Sequence, residues 1–351
     1  MVETGTLLQG RFVIEESLGS GGMGAVYLAT DKKFGSRVAI KERAYEHAEL
    51  AEAFEREARL LNNLHHPVLP HVSDYFIEND RHFLVMEYID GTDLSEMLKR
   101  DGAFSVEDVE RWMFELLDAL DYLHSQQPPI IHRDIKPPNL KLTPRGNIIL
   151  LDFGLAKETS GNTLGVRSIF GYSRRYSPFE QIEGAGTDAR ADLFSLGATV
   201  YHLMTGEPPA DVLTRVSALV AGRPDPIQPA NELNEYISPG LASVIHSALA
   251  VNADHRFVSA SAMRAALKQA INPSMHVAEP LASAAPVVAA VSAAAAPALA
   301  SVEPDDREVE PVVEPIGGEM SQAMRALKED EIRRNLDSYL DYLPAVPENR
   351  T

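Results

Sequence analysis

The sequence predicts an α+β protein, a strand-rich region followed by a mainly helical one. Three observations carry this. Residues 11 to about 90 hold short β-branched runs punctuated by turn residues, with one helical stretch among them. From about 91 to 271 the apolar residues recur mostly at helical spacing. At Asn272-Pro273 the composition shifts to Ala, Pro, Val and Glu as far as Gly317-Gly318. Such a segment buries too little apolar surface to offset its ordering entropy and reads as disordered. The domain plan is an ordered unit at 11–271, with lobes at about 11–88 and 91–271. An Ala/Pro-rich acidic linker at 272–318 follows it, then a helix at 319–344.

Composition narrows the function classes. The chain has 351 residues, 45% of them hydrophobic and 24% charged, as in an ordinary globular protein. A net charge of −19 argues against nucleic-acid binding, which runs on basic surface. With no cysteine, disulfides, thiolate metal sites and cysteine nucleophiles are excluded, and a cytoplasmic location fits. Met1 to Gly5 shows no basic region ahead of an apolar one, so no signal peptide is read. Pro280 to Val302 is uncharged. It is mostly alanine, carries Pro286 and Pro297, and has acidic flanks, so it reads as linker rather than membrane span.

Taken in order, Arg11 to Leu18 alternates as a strand. Gly19-Ser20-Gly21-Gly22-Met23-Gly24 follows and runs into a second strand, Ala25 to Leu28. A glycine-rich loop that opens into a strand suits a flap over phosphates, because glycine lets backbone N–H groups approach closely. A dinucleotide loop would open into a helix instead. Val38-Ala39-Ile40-Lys41 is the third strand. Ala48 to Leu64 is helical, with Phe54, Ala58, Leu61 and Leu64 on one face. Val68 to Phe76 and His82 to Glu87 read as strands joined by Glu78-Asn79-Asp80. Leu94 to Leu98 and Val106 to His124 are helices, the second with a stripe of Val109, Trp112, Met113, Leu116, Leu117, Leu120 and Leu123. Asp192 to Gly197 opens an apolar helix that ends near Gly206, Pro224 to Pro229 is a loop, and Pro239 to Ala250 and Ala260 to Ile271 close the region. In the tail, Met320, Met324, Leu327, Leu336, Leu340 and Leu343 form an amphipathic face suited to self-association or docking.

The chemistry concentrates in His132-Arg133-Asp134-Ile135-Lys136-Pro137-Pro138-Asn139 and in Asp152-Phe153-Gly154. A carboxylate that takes a hydroxyl proton, oxygen donors for hard cations, and an ammonium for a phosphate together suit phosphoryl transfer. The glycine-rich loop, Val38-Ala39-Ile40-Lys41, the HRDxKxxN string and Asp152-Phe153-Gly154 stand in the order and spacing of the protein kinase family. The chain resembles the eukaryotic-like, bacterial type of serine/threonine protein kinase over about residues 11–271.

The resemblance implies a two-lobed protein-kinase-like fold, a small antiparallel β-sheet lobe plus a mainly helical lobe, that uses ATP with Mg2+ or Mn2+ on protein substrates. Leu18, Gly19, Gly21, Gly22, Gly24, Val26 and Ala39 would then cover the nucleotide. Lys41 would hold its phosphates, partnered by Glu57, with Glu55 the neighbouring alternative. Met86 would guard the rear of the pocket, and the backbone of Glu87 and Ile89 would bond the adenine edge. Asp134 would deprotonate the acceptor hydroxyl, Lys136 steady the γ-phosphate, and Asn139 and Asp152 bind metal. Lys136, two residues after Asp134, matches Ser/Thr rather than Tyr kinases. His132, Phe153, Leu61 and Val72 match the family's apolar spine. Asp192 would support the catalytic loop, and Arg256 would pair with Glu180.

The sequence also departs from the family pattern. Pro138 replaces a common Glu or Gln, away from the chemistry. Lys141 stands where the family places an apolar floor under adenine; its stem would pack on the base while its amine reached solvent. Phe170 to Gln181 departs from the usual substrate loop, with Ser173 favoured over Tyr172 as the small residue facing Asp134. Arg133 would meet a phosphate on the loop from Leu155 to Ser177, where Thr159, Ser160, Thr163 and Ser168 are candidates for autophosphorylation. The alternatives are a pseudokinase scaffold that binds ATP without turnover, and a small-molecule kinase on a related fold.

Overall fold

The fold comes from a computed structural model, which describes residues 2–21, 24–44, 48–152, 173–184 and 186–272. The described residues all fall within one compact unit, residues 1–276. The expected acidic linker, from residue 273 onward, and the C-terminal helix lie outside the described residues.

The first lobe is a six-stranded sheet in the order β1-β2-β3-β4-β6-β5, with every neighbour antiparallel. Its strands are β1 (Leu7–Leu8), β2 (Phe12–Gly21), β3 (Gly24–Asp31), β4 (Ser36–Ala44), β5 (Val72–Glu78) and β6 (Arg81–Glu87). The period of two decides which side chains face where. Ile40, Phe83 and Val85 join Phe12, Ile14 and Tyr27 in a core on one face. Ala39, Leu84 and Met86 point the other way into the main core, where Phe54, Ala58 and Leu61 of helix α1 (Ala48–Asn62) meet them. Asn79 and Asp80, both with positive φ (51° and 58°), form the tight β5–β6 turn. The expected strand at Val68 starts only at Val72. Between Pro67 and Pro70 the chain turns, Val68 and Leu69 pack into the core, and the Val68 carbonyl accepts from Leu150 N–H (2.8 Å).

The second lobe is helical, with α2 (Leu94–Asp101), α3 (Val106–His124), α4 (Phe179–Glu183), α5 (Ala189–Thr205), α6 (Val212–Val220), α7 (Ala230–Leu233), α8 (Pro239–Ala248) and α9 (Ala260–Ile271). All seven apolar stripe residues of α3 are buried. Helix α5 is buried continuously from Ala191 to Met204 and forms the lobe's centre. Gly197 lets α8 approach: a Cβ there would lie 2.8 Å from the Ala248 Cβ. Helices α6 and α7 were not expected. Helix α6 is capped by Asp211, whose side chain accepts from Leu213 N–H, and its Arg215 is buried against Asp225 (2.8 Å). A second, small sheet of β7 (Thr92–Asp93), β8 (Leu140–Leu142) and β9 (Ile148–Leu150) has the 132–139 loop leading into β8 and Asp152 just after β9.

Candidate active site

The loop 132–139 is fixed from beneath. Asp192, fully buried in the first turn of α5, accepts from the backbone N–H of His132 and Arg133 at 2.7 Å each, and bonds His124 Nε2 at 2.9 Å. Two N–H donors on one buried carboxylate hold Arg133 at φ +64°, a conformation that costs a non-glycine residue free energy. Gln181 Nε2 donates to the Arg133 carbonyl (2.9 Å), and Arg133 Nε donates to Thr187 Oγ1 (2.7 Å). The loop is thus clamped from both α5 and the segment around α4.

Asp134 sits at the top of this loop. Asn139 Nδ2 donates to its backbone carbonyl (2.7 Å) and to its Oδ2 (2.9 Å), and Lys136 Nζ lies 3.0 Å from Oδ2. Asn139 is buried in a short 3-10 turn, Pro137–Asn139. Its amide nitrogen donates both bonds to Asp134, so its amide oxygen is the group left as an acceptor.

Asp152 follows β9 and has φ +55°. Its Oδ1 accepts from Lys41 Nζ at 2.7 Å, joining the two lobes. Burial pushes the Asp152 carboxyl up, but Lys41's charge and hydrogen bond outweigh burial and hold it below its ordinary value. Glu57 lies in α1 with its side chain outside the described residues, whereas Glu55 pairs with Arg59 of its own helix (2.6 Å). Gly22, Phe153, Gly154, Tyr172 and the four loop hydroxyls at 159, 160, 163 and 168 lie outside the described residues, as does the side chain of Ser173. Of the apolar spine, Leu61, Val72 and His132 are buried.

The glycine-rich hairpin pairs Gly21 with Gly24, and Val26 with Lys41 on the next strand. Leu18 and Gly19 stand on β2 of the same hairpin. Gly24, at φ +126°, passes so close to β4 that a Cβ would lie 2.0 Å from the Glu42 carbonyl oxygen. Ala39 pairs with Met86, so these two residues lie side by side on β4 and β6. Met86 also lines a small recess with Leu61, Pro70, Val72, Leu84, Lys41 and Asp152.

Beyond β6 the chain crosses to the second lobe through Glu87 to Gly91. Gly91 has φ +144°, and a Cβ there would lie 2.2 Å from the Leu142 carbonyl oxygen. Lys141 corrects an expectation. Its amine does not extend to solvent but donates to the Ile89 carbonyl at 2.8 Å, because β8 pairs with β7 directly beneath this crossing.

In the second lobe, Arg256 is a buried hub. Its guanidinium makes two bonds to Glu180 (2.6 and 3.0 Å) and reaches the carbonyls of Ala250, Val251 and Arg190. A contact that sequence reasoning missed is Tyr176 Oη to His202 Nδ1, 2.6 Å, which ties the segment before α4 to α5. Burial, aided by the charge of Arg175, lowers His202 to about 4. The imidazole is then neutral, and its Nδ1 shares a hydrogen bond with the phenol. A polar residue inside the apolar α5 pattern was the available signal.

Residues 12–268 match the model of the protein kinase domain family. The chain is 32% identical to the serine/threonine-protein kinase PrkC of Bacillus subtilis over 272 residues, 76% of this chain and 42% of that protein. It is 34% identical to the serine/threonine-protein kinase PknB of Mycolicibacterium smegmatis, over 74% of this chain and 43% of that one. It therefore spans less than half the length of either relative. Among solved structures, the PknI kinase domain of Mycobacterium tuberculosis superposes with a TM-score of 0.60 at 28% identity, covering 77% of this chain and all of that one.

Proposed function

The chain belongs to the protein kinase domain family, and from that membership we propose that it transfers the γ-phosphoryl group of MgATP to Ser or Thr hydroxyls of proteins. The observation that carries the reading is the Asp134 carboxylate, gripped by Asn139 and Lys136 while Lys41 and Asp152 meet nearby.

In this reading Asp134 orients the acceptor hydroxyl and takes its proton as the oxygen bonds the γ-phosphorus, whose bond to the β–γ bridging oxygen breaks so that ADP leaves. Lys136, on the same carboxylate, also reaches the transferred phosphoryl group and offsets its negative charge. Lys41 holds the α/β-phosphates, with Glu57 as its partner on α1. The Asn139 amide oxygen and the second Asp152 oxygen are hard donors suited to Mg2+, which takes few protein ligands and completes its shell with phosphate and water. Bound there, the metal would neutralise phosphate charge. Leu18, Val26, Ala39 and Met86 enclose the base, and Glu87 and Ile89 read its edge through the backbone. The glycines at 19, 21, 22 and 24 cover the phosphates.

The test is incubation of the purified chain and its Asp134→Asn variant with labelled ATP, Mg2+ and a general basic acceptor protein. Label on Ser or Thr that disappears in the variant is the expected result. ATP binding without transfer by the wild type would sink the reading.

A further inference from the structure

The crossing between the lobes has an unusual polar state at Ile89. No described residue accepts from its N–H, yet its carbonyl already accepts from Lys141 Nζ at 2.8 Å. The amine comes from the other lobe, from the middle of β8, where Lys141 pairs with Asp93 and Ile149. It also lies 5.4 Å from the centre of the Tyr88 ring, whose face carries the Arg37 guanidinium at 4.3 Å. Both neighbours restrict where the ammonium goes. Burial lowers the proton affinity of Lys141, which Asp90 and Asp93 oppose and Arg37 reinforces. An isolated surface lysine would show none of this.

The consequence is chemical. A base whose edge faces Ile89 meets an N–H that needs an acceptor. Beside it lies a carbonyl already bonded to a cation, whose positive hydrogens crowd the remaining lone pair. An edge presenting a ring nitrogen next to a C–H satisfies the N–H and leaves the ammonium alone. An edge presenting a ring nitrogen next to an amino group turns donor hydrogens toward an ammonium.

We propose that Lys141 is a specificity-determining residue of the nucleotide site, admitting the adenine edge and rejecting purines that carry a 2-amino group. This rests on the kinase reading above. Replacing Lys141 by Met keeps an unbranched stem of similar length, removes the charge, and returns the Ile89 carbonyl to the pocket as an acceptor.

The experiment uses the full chain with Mg2+ and displacement of a fluorescent ATP analogue. ATP and 2-aminoadenosine triphosphate compete against wild type, Lys141→Met and Lys141→Arg. The wild type is expected to bind the 2-amino nucleotide roughly tenfold more weakly than ATP, the scale of one polar group left unsatisfied. Lys141→Met should bring the ratio to about one or invert it, as the amino group gains the freed carbonyl. Lys141→Arg should keep the discrimination. Equal wild-type affinities, or a ratio unchanged in Lys141→Met, overturn the inference while ATP binding and transfer leave the kinase reading standing. If Lys141→Met fails to fold, the wild-type ratio still decides. Failure of the wild type to bind either nucleotide overturns both.

Discussion

Asp192 offers the most direct way to separate loop support from chemistry. Asp192→Asn keeps the shape of the side chain but replaces one acceptor oxygen by an NH2 group. The two backbone donors, His132 and Arg133, then compete for one oxygen, and one of them faces another donor in a buried site. Bonds from backbone N–H to a charged acceptor each contribute about 1.5–3 kcal/mol, and the buried N–H left facing the NH2 group loses one. The expected cost is about 2–4 kcal/mol, because the strained Arg133 conformation also loses its support. Trp112, the chain's sole tryptophan and buried in α3, reports on this lobe. Urea unfolding followed by its fluorescence should shift its midpoint down by about 1 M. Phosphoryl transfer should fall as well, since Asp134 follows Arg133 directly. A midpoint and a transfer rate both equal to wild type would refute the claim that Asp192 sets the loop.

Three further outcomes are expected. Lys41→Met removes the 2.7 Å contact with Asp152 and should lower transfer to a basic acceptor by about 100-fold or more, with the Trp112 unfolding midpoint nearly unchanged. Glu180→Ala strands a guanidinium whose side chain is fully buried, and should cost about 3–5 kcal/mol in urea unfolding; combining it with Arg256→Met should cost less than Glu180→Ala alone. His202 has a folded pKa of about 4 against an ordinary 6.5, so the unfolded chain binds a proton that the folded one refuses. Its contribution, up to about 3 kcal/mol, is complete above pH 6.5 and is lost as pH falls toward 4; His202→Gln should flatten that stretch of the stability profile.

Much of this architecture is legible from local pattern. The α3 stripe and the Asn79-Asp80 turn each follow from the identity of neighbouring residues, and the structure places them where the pattern does. Helix α9 is bounded as its periodicity suggests, from Ala260 to Ile271. Helix α6 was legible too, since Asp211 before it and Gly222 after it are ordinary start and stop signals. Its short length, between two proline-rich stretches, hid it. The Val68 region shows the opposite failure. Its β-branched and apolar residues match a strand, but two flanking prolines and a demand from the core override propensity. In the site, the motif spacing brings together Asp134, Lys136 and Asn139 because they are neighbours in sequence. Tyr176 with His202, Arg133 with Thr187, and Lys141 with Ile89 join residues 26, 54 and 52 positions apart, and apart from the polar His202 inside the apolar α5 pattern no local signal announces them.

Gly91 carries a consequence for motion between the lobes. A glycine in a linker is commonly taken as slack. Here its missing side chain lets the backbone lie flush on the Leu142 carbonyl, while Lys141 fastens Ile89 to the same strand. A rotation that kept β8 intact would carry Gly91 along with the second lobe. The dihedral change would have to be absorbed upstream, around Glu87 and Tyr88, where Arg37 of the first lobe lies over the tyrosine ring. The pivot is then an aromatic residue between two cations, and the glycine is a rivet.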